Sequence, residues 1–556
     1  MHVFLRFGSR LGLIKAFGIA DMQTSQFNHW RGIYEPWCRT ISCSAFVLVL
    51  LSAAGCATNP VTGRWESQLV SEAREIQLGE ASYLQAQQSQ GGAYVTHPAV
   101  VDYVRSVGEK LVRVSDRKRL PYDIVVLNNA VPNAWALPGG KMAVNRGLLI
   151  EMESEAELAA VLGHEIVHVA ARHGAKSIER GLFLQAGMMG LGIAVGDEDY
   201  QDIIIGATGL GATLLTMKYG RGHELEADKY GIEYMSKAGY DPEAAVKMQE
   251  TFLRLSDAKD PNWITGLLVT HPPSRERIRA NRKTLENYPK GGFVGRQEYR
   301  QAIKPLLDSK EAYAIMADGY KALAEGNTAL AGRLADKAIG IEPDEAHFHA
   351  LAAKVHAAEK NWKQTANSLN RAIALNDSYY EYYLLRGRLA HAKGRRADAK
   401  RDLRKSLALL PTASGHYLLG SMSLDEGNER DAIANFRIAA RSNASDGEKA
   451  RAMLARLEID DQPQKYLRVS TSLDRGGYLR IAVQNTTSVD VARGTISVSS
   501  ASGRQWRQYA IPNGLPAGRQ KTVQTREGPF PDIRTANAQT RIRFENIAVR
   551  NGGRRR

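Results

Sequence analysis

A 34-residue period runs through the middle of the chain and leaves few architectures open to it. Gly326, Lys360, Gly394 and Gly427 recur at spacings of 34, 34 and 33, and Pro343, Asp377 and Pro411 at 34 and 34. Gly319, Ala353, Gly387 and Gly420 keep a small residue in step with them, and the pairs Ala331/Ala338 and Ala432/Ala439 mark close-packed second helices. Helix pairs of this length bury their apolar faces against their neighbours, so residues 310–460 are expected to stack into an α-solenoid with a concave, protein-binding surface. Beyond it the period changes to two. Leu467 and Val469, Leu479, Ile481 and Val483, Ile496 and Val498, and Ile542 and Phe544 alternate with polar residues between Gly, Asn and Pro turns. That pattern predicts a small antiparallel β-sandwich over 462–556. At 556 residues the chain exceeds one core. The expected fold class is multidomain: a mainly α domain with a small β-sheet, the solenoid, and a C-terminal all-β sandwich-like domain.

The chemistry lies upstream, in Val161-Leu162-Gly163-His164-Glu165-Ile166-Val167-His168. Ser154 followed by Glu157 reads as a capping box, opening a helix that runs to about Gly174. Residues four apart share a helix face, so His164 and His168 can reach one metal while Glu165 sits beside a metal-bound water. This is the H-E-x-x-H arrangement of a metalloprotease. A catalytic zinc takes three protein ligands and keeps one position open. In Tyr219-Gly220-Arg221-Gly222-His223-Glu224-Leu225-Glu226-Ala227-Asp228, Glu224 and Asp228 lie one turn apart. Glu224 can supply the third ligand while Asp228 accepts a hydrogen bond from the far nitrogen of a ligand histidine; Glu226 is expected to point elsewhere.

Taken together, these motifs resemble the zinc metallopeptidases of the CAAX prenyl protease, HtpX and BepA type, which share H-E-x-x-H followed by S-R-x-x-E-x-E-A-D. The match covers roughly Asn59 to Ile278. The resemblance implies a zincin-like domain with one Zn2+ per chain on His164, His168 and Glu224, Glu165 as the base, and Asp228 behind the ligands. Asn133 to Val144 resembles the strand at the upper edge of the family's cleft, so Gly140, Lys141, Met142, Ala143 and Val144 are expected to hydrogen-bond an extended substrate through the main chain. Thr270 to Arg277 resembles the later H-P motif and places His271 and Arg277 at the cleft. There His271 either stabilises the oxyanion of the tetrahedral intermediate or occupies the open position and holds the enzyme shut. Gly220 departs from the family's Ser, which puts the local helix cap in doubt. The repeats resemble the tetratricopeptide repeat in about four degenerate copies, with Thr365 and Ser406 standing where Ala is usual.

Residues 1–55 carry an address. Ala45 to Leu51 is an apolar run preceded by Arg31 and Arg39, too short for a permanent span and suited to a signal peptide. It ends in Ser52-Ala53-Ala54-Gly55-Cys56, which resembles a bacterial lipobox. Acylation of Cys56 would hold the protein at a membrane surface, and Ala57 fits sorting to the outer membrane of a Gram-negative bacterium. Cys38 and Cys43 would leave with the signal, so no disulfide framework is expected. Residues 56–70 read as a tether, 71–287 as the peptidase domain and 288–309 as a linker. The apolar runs 181–190 and 203–211 flank Asp197-Glu198-Asp199, and each falls short of the ~20 residues a bilayer requires. A helical hairpin on or over the cleft is expected there.

Charge is concentrated at one end. Residues 461–556 hold 17 Lys/Arg against 6 Asp/Glu, a net +11 of the chain's +15, which suggests an anionic surface as a contact. Nucleic acid is not expected for an exported protein. The sequence thus predicts a lipid-anchored periplasmic zinc endopeptidase that hydrolyses misfolded or misassembled envelope proteins, its repeats binding substrate or the outer-membrane assembly machinery. The competing class is a chaperone or assembly scaffold for outer-membrane proteins whose proteolysis is gated or minimal.

Overall fold

The structure is a computed structural model that describes residues 55–190, 219–257, 270–500 and 505–549. The signal segment up to residue 54 and the apolar run 203–211 lie outside the described residues.

The described residues open with a hairpin of β1 (Gly55–Thr58) and β2 (Trp65–Gln68), where a tether was expected. Asn59 is buried because its amide donates to the Ala171 carbonyl at 3.0 Å and to Glu66 at 3.0 Å. The Glu179 carboxylate accepts the amides of Leu69 and Val70 at 3.0 and 2.9 Å. Helix α1 (Glu72–Ser89) follows an N-cap at Ser71. Helix α2 (Pro98–Val114) buries Val100, Val104, Val107 and Leu111, one stripe at helical spacing.

Three strands follow: β3 (Asp123–Leu127), β4 (Ala134–Leu137) and β5 (Lys141–Asn145), in the order β3-β5-β4. The pairing is parallel between β3 and β5 and antiparallel between β5 and β4. This corrects the expectation for Lys141, Met142, Ala143 and Val144. They form the central strand, with backbone groups committed to neighbours on both sides, and Gly140 is in the turn before it at φ 96. Among the described residues β4 is an edge strand paired with β5 alone, and it is itself buried. Asn145 donates to the Asn133 carbonyl, so the alternation of an antiparallel ladder turns the amides of Ala134 and Ala136 away from β5.

After the short α3 (Arg146–Leu149), α4 (Glu155–Ala170) runs through the core with every residue buried. Ser154 caps it, its hydroxyl accepting the Glu157 amide at 3.2 Å, while the Glu157 carboxylate takes the amide of Glu153. The helix stops short of Gly174 because Arg172 adopts a left-handed φ of 62, and α5 (His173–Gly190) starts anew. Next come α6 (Arg221–Lys237), α7 (Glu243–Asp257) and α8 (Arg275–Leu285). Helices α4 and α6 touch at Gly163 and Gly231, where a Cβ on Gly231 would lie 3.2 Å from the amide nitrogen of His164. That close approach brings the two motif helices together. Helices α9 (Arg296–Ala302) and α10 (Lys304–Asp308) occupy the stretch read as a linker. It belongs to the core instead. Tyr299 is buried with its hydroxyl on the Leu149 carbonyl at 2.6 Å, and the carbonyls of Val294 and Gly295 take the first amides of α4.

Four helix–turn–helix pairs follow: α11 (Lys310–Ala324) with α12 (Thr328–Ile341), α13 (Ala346–Ala358) with α14 (Trp362–Leu375), α15 (Tyr380–Ala392) with α16 (Arg396–Leu409), and α17 (Ala413–Asp425) with α18 (Glu429–Ala439). A ninth helix, α19 (Ser445–Glu458), closes the stack. The periodic Gly326, Lys360, Gly394 and Gly427 all have positive φ, between 60 and 80. A left-handed residue ends each first helix there, which is why Gly recurs. The solenoid docks on the N-terminal domain through buried Glu345, whose carboxylate accepts from Thr96 at 2.8 Å and Asn128 at 2.9 Å. Gln88 adds bonds to Ser378 and Tyr380, and His347 one to the Gly91 carbonyl.

The C-terminal region is two three-stranded antiparallel sheets. One is β6 (Leu467–Leu473), β7 (Leu479–Asn485) and β10 (Gln520–Gln524); the other is β8 (Val491–Ser500), β9 (Trp506–Ala510) and β11 (Thr540–Val549), which follows α20 (Ile533–Gln539). Leu479, Ile481 and Val483 share one core with Ile496 and Val498. Val469, on edge strand β6, is exposed instead. Among the described residues, no helix is long and apolar enough to cross a membrane.

Candidate metal centre

Helix α4 presents His164 and His168 one turn apart, α6 presents Glu224 opposite them, and the segment before α8 delivers His271. Each brings one donor atom, and the four atoms lie within 4.8 Å of one another. His164 Nε2 is 3.0 Å from His168 Nε2, and His168 Nε2 is 3.4 Å from Glu224. Two nitrogens bonded tetrahedrally to one zinc at ~2.1 Å would stand about 3.4 Å apart, so the spacing and the nitrogen/oxygen donor set suit such an ion. Glu165 is buried beside them, and its Oε2 has no hydrogen-bond partner among the described residues. His271 sits among the donors, its Nδ1 3.0 Å from Glu224 and 3.3 Å from His164 Nε2, its Nε2 3.5 Å from Glu165.

The electrostatics favour positive charge at the centre. Burial lowers the pKa of His164, but hydrogen bonds to Asp228 and Glu224 outweigh it and push the value up to about 9. For His168 burial wins, and its pKa falls well below the usual imidazole range. Burial opposes the ionised Glu224, yet the His271 imidazole and hydrogen bonds from His164 and His168 hold its carboxyl well below the carboxylate range. Asp228 is likewise lowered, burial being outweighed by the Arg277 guanidinium.

Behind the donors, His164 Nδ1 meets Asp228 at 3.0 Å. Arg277 grips that carboxylate with Nε and Nη2, both at 2.7 Å, and reaches Glu224 with Nη1 at 2.9 Å. Its remaining contacts are the carbonyls of His271 and Pro272. Arg277 is therefore a buried clamp behind the donors, with all three nitrogens engaged. Gly220 is the N-cap of α6 and makes no side-chain cap. A Cβ there would meet nothing within 4 Å. Cys56 lies in β1 opposite Ser67, outside the cluster.

Three contributors were missed in the sequence. Tyr219 stacks on His168 with centroids 3.9 Å apart. His173 meets His168 Nδ1 to Nδ1 at 2.9 Å, and Glu226, expected to point away, lies 3.1 Å from His173 Nε2. The Glu-rich start of α6 carried a signal for Glu226; the helix break that aims His173 had none.

Residues 98–285 match Peptidase family M48. A putative beta-barrel assembly-enhancing protease of Vibrio cholerae is 32% identical over 223 residues, 38% of this chain and 45% of that protein. The beta-barrel assembly-enhancing protease of Escherichia coli K12 is 27% identical over 228 residues, 40% of this chain and 46% of that protein. A mitochondrial metalloendopeptidase OMA1, from Schizosaccharomyces pombe, is 31% identical over 230 residues, 40% of this chain and 64% of that protein. The chain thus spans about half the length of the bacterial relatives it matches. The cluster of His164, His168, Glu224 and His271 falls wholly within residues 98–285, the region that matches Peptidase family M48.

Proposed function

We propose that the protein is a zinc-dependent endopeptidase of the bacterial envelope that cleaves misfolded or misassembled proteins, its repeats holding the substrate or an outer-membrane assembly partner. The observation that carries this reading is the convergence of two imidazoles and one carboxylate on a buried point beside a Glu165 oxygen that has no partner among the described residues. His164, His168 and Glu224 would hold the ion; zinc so bound supplies a water of lowered pKa and polarises the scissile carbonyl. Glu165 takes the proton of the attacking water and passes it to the leaving amide nitrogen. Edge strand β4, whose amides at Ala134 and Ala136 turn away from β5, is where an extended substrate would pair through its main chain. The names of the relatives support a role in beta-barrel assembly, and the lipobox-like Ala53-Ala54-Gly55-Cys56 supports lipidation and an outer-membrane site.

The position of His271 favours a gated form of this activity, close to the scaffold alternative. An imidazole among the ligand atoms competes for the position that water and substrate need. Degradation of casein by the purified protein, with zinc content measured, tests both parts. Glu165→Gln is expected to lower the rate at least about a hundredfold with zinc retained, and His271→Ala to raise it. Zinc-loaded protein with no cleavage in the wild type or in His271→Ala would overturn the peptidase in favour of the scaffold.

A further inference from the structure

We propose that His173, braced by Glu226, is the positioning residue for the ligand His168, the counterpart of what Asp228 is to His164; this rests on the metallopeptidase reading above. A metal-binding imidazole commits one nitrogen to the ion, and the partner of its other nitrogen sets ring orientation and tautomer. For His164 that partner is a carboxylate, Asp228, at 3.0 Å from Nδ1. For His168 the nitrogen among the donors is Nε2, so Nδ1 is the far one. It meets Nδ1 of His173 at 2.9 Å.

The hydrogen placement follows from the end of the chain. Ionised Glu226 only accepts, so His173 carries its proton on Nε2, 3.1 Å away. Its Nδ1 is then a lone pair, His168 must donate from Nδ1, and His168 Nε2 is left bare toward the other donors. No other assignment of neutral rings satisfies both contacts.

The backbone is shaped for this contact. Side chains five apart on a continuous helix diverge by about 140°, so a helix running through to Gly174 would turn His173 away from His168. The break at Arg172 prevents that, at a left-handed φ of 62 that costs a non-glycine residue about 1–2 kcal/mol. Arg172 is pinned there by Nε on Glu75 at 2.6 Å and by a bond to the Val70 carbonyl. His173 is completely buried, with His223 stacked on its face at 4.2 Å.

Zinc affinity by chelator competition, the visible spectrum of the cobalt-substituted protein, and unfolding of the metal-free protein together test the assignment. His173→Phe keeps a ring but no acceptor, and is expected to weaken zinc binding 10- to 100-fold and shift the cobalt bands. His173→Asn, whose Oδ1 can stand near the lost Nδ1, is expected to restore affinity to within a few-fold. Glu226→Leu, at the partly exposed outer link, should give a smaller loss and serves if His173→Phe does not fold. Wild-type zinc affinity in His173→Phe, or in Glu226→Leu where His173→Phe fails to fold, overturns the proposal and leaves the peptidase reading standing. An affinity loss that His173→Asn does not restore, matched by equal destabilisation of the metal-free protein, overturns it too. Zinc-free wild-type protein overturns both.

Discussion

Two arginines grip an aspartate in the same way in different parts of the molecule. Arg277 holds Asp228 with Nε and Nη2 at 2.7 and 2.7 Å; Arg386 holds Asp402 at 2.7 and 2.9 Å. The first fork joins α8 to α6 across 49 residues and is buried on both sides. The second joins α15 to α16 across 16 residues, with the Arg386 side chain 25% exposed. The geometry is equal; the surroundings are not. Charges deep in protein are screened little, and losing one partner strands the other, whereas a wetted arginine leaves water to replace it. Arg277→Met is accordingly expected to cost about 3–5 kcal/mol, seen as lost hydrogen-exchange protection in α4 and α6. Arg386→Met should cost about 1 kcal/mol, confined to its repeat. Equal costs would show that burial is not what separates the two regions.

The junction between the regions can be probed with pH. Burial would raise the pKa of Glu345, but the His347 side chain and hydrogen bonds from Tyr313, the His347 amide and Thr96 lower it below the ordinary carboxylate value. A carboxyl lowered by folding adds stability above its unfolded pKa of about 4.3, and that contribution disappears as pH falls through the folded value. Acid is therefore expected to release the solenoid from the peptidase domain before either unfolds, with proteolytic cleavage appearing near residues 90–97. Glu345→Gln should dock less tightly and lose this pH dependence. A junction equally protected at pH 7 and pH 3 would contradict it.

The smallest effect concerns left-handed residues. Lys360 occupies at φ 60 the slot that its sister repeats give to Gly. Lys360→Gly relieves about 1 kcal/mol of steric cost but adds nearly as much unfolded-state entropy, so thermal melting should move by only a degree or two. A shift of ten degrees would mean that Lys360 holds a contact beyond its own turn.

The same contrast explains what could be read from the sequence. The repeats were legible because each turn is a local event, repeated, so Gly326, Gly394 and Gly427 announced it. His164, Glu165, His168, Glu224 and Asp228 were legible because helical spacing aligns them within each motif. His173 was not, since its direction depends on a backbone break at Arg172 held by Glu75 and Val70, about a hundred residues earlier. Strand β5 was expected at the substrate edge from its resemblance alone, and its three buried apolar residues, Met142, Ala143 and Val144, look alike in a central and an edge strand; only pairing separates them. The stretches 56–70 and 288–309 resembled connectors in composition, yet single side chains, Asn59 and Tyr299, tie them into the core.

The N-terminal hairpin has a mechanical consequence. Residue 56 is three residues, roughly 10 Å of extended chain, from Asn59, whose side chain is bonded to Ala171 just past the end of α4. An attachment at residue 56 would behave as a short stiff bracket. It would set the direction in which the active-site helix points as well as its height above whatever surface it is fixed to, so a force applied there would reach the metal-binding helix almost without slack.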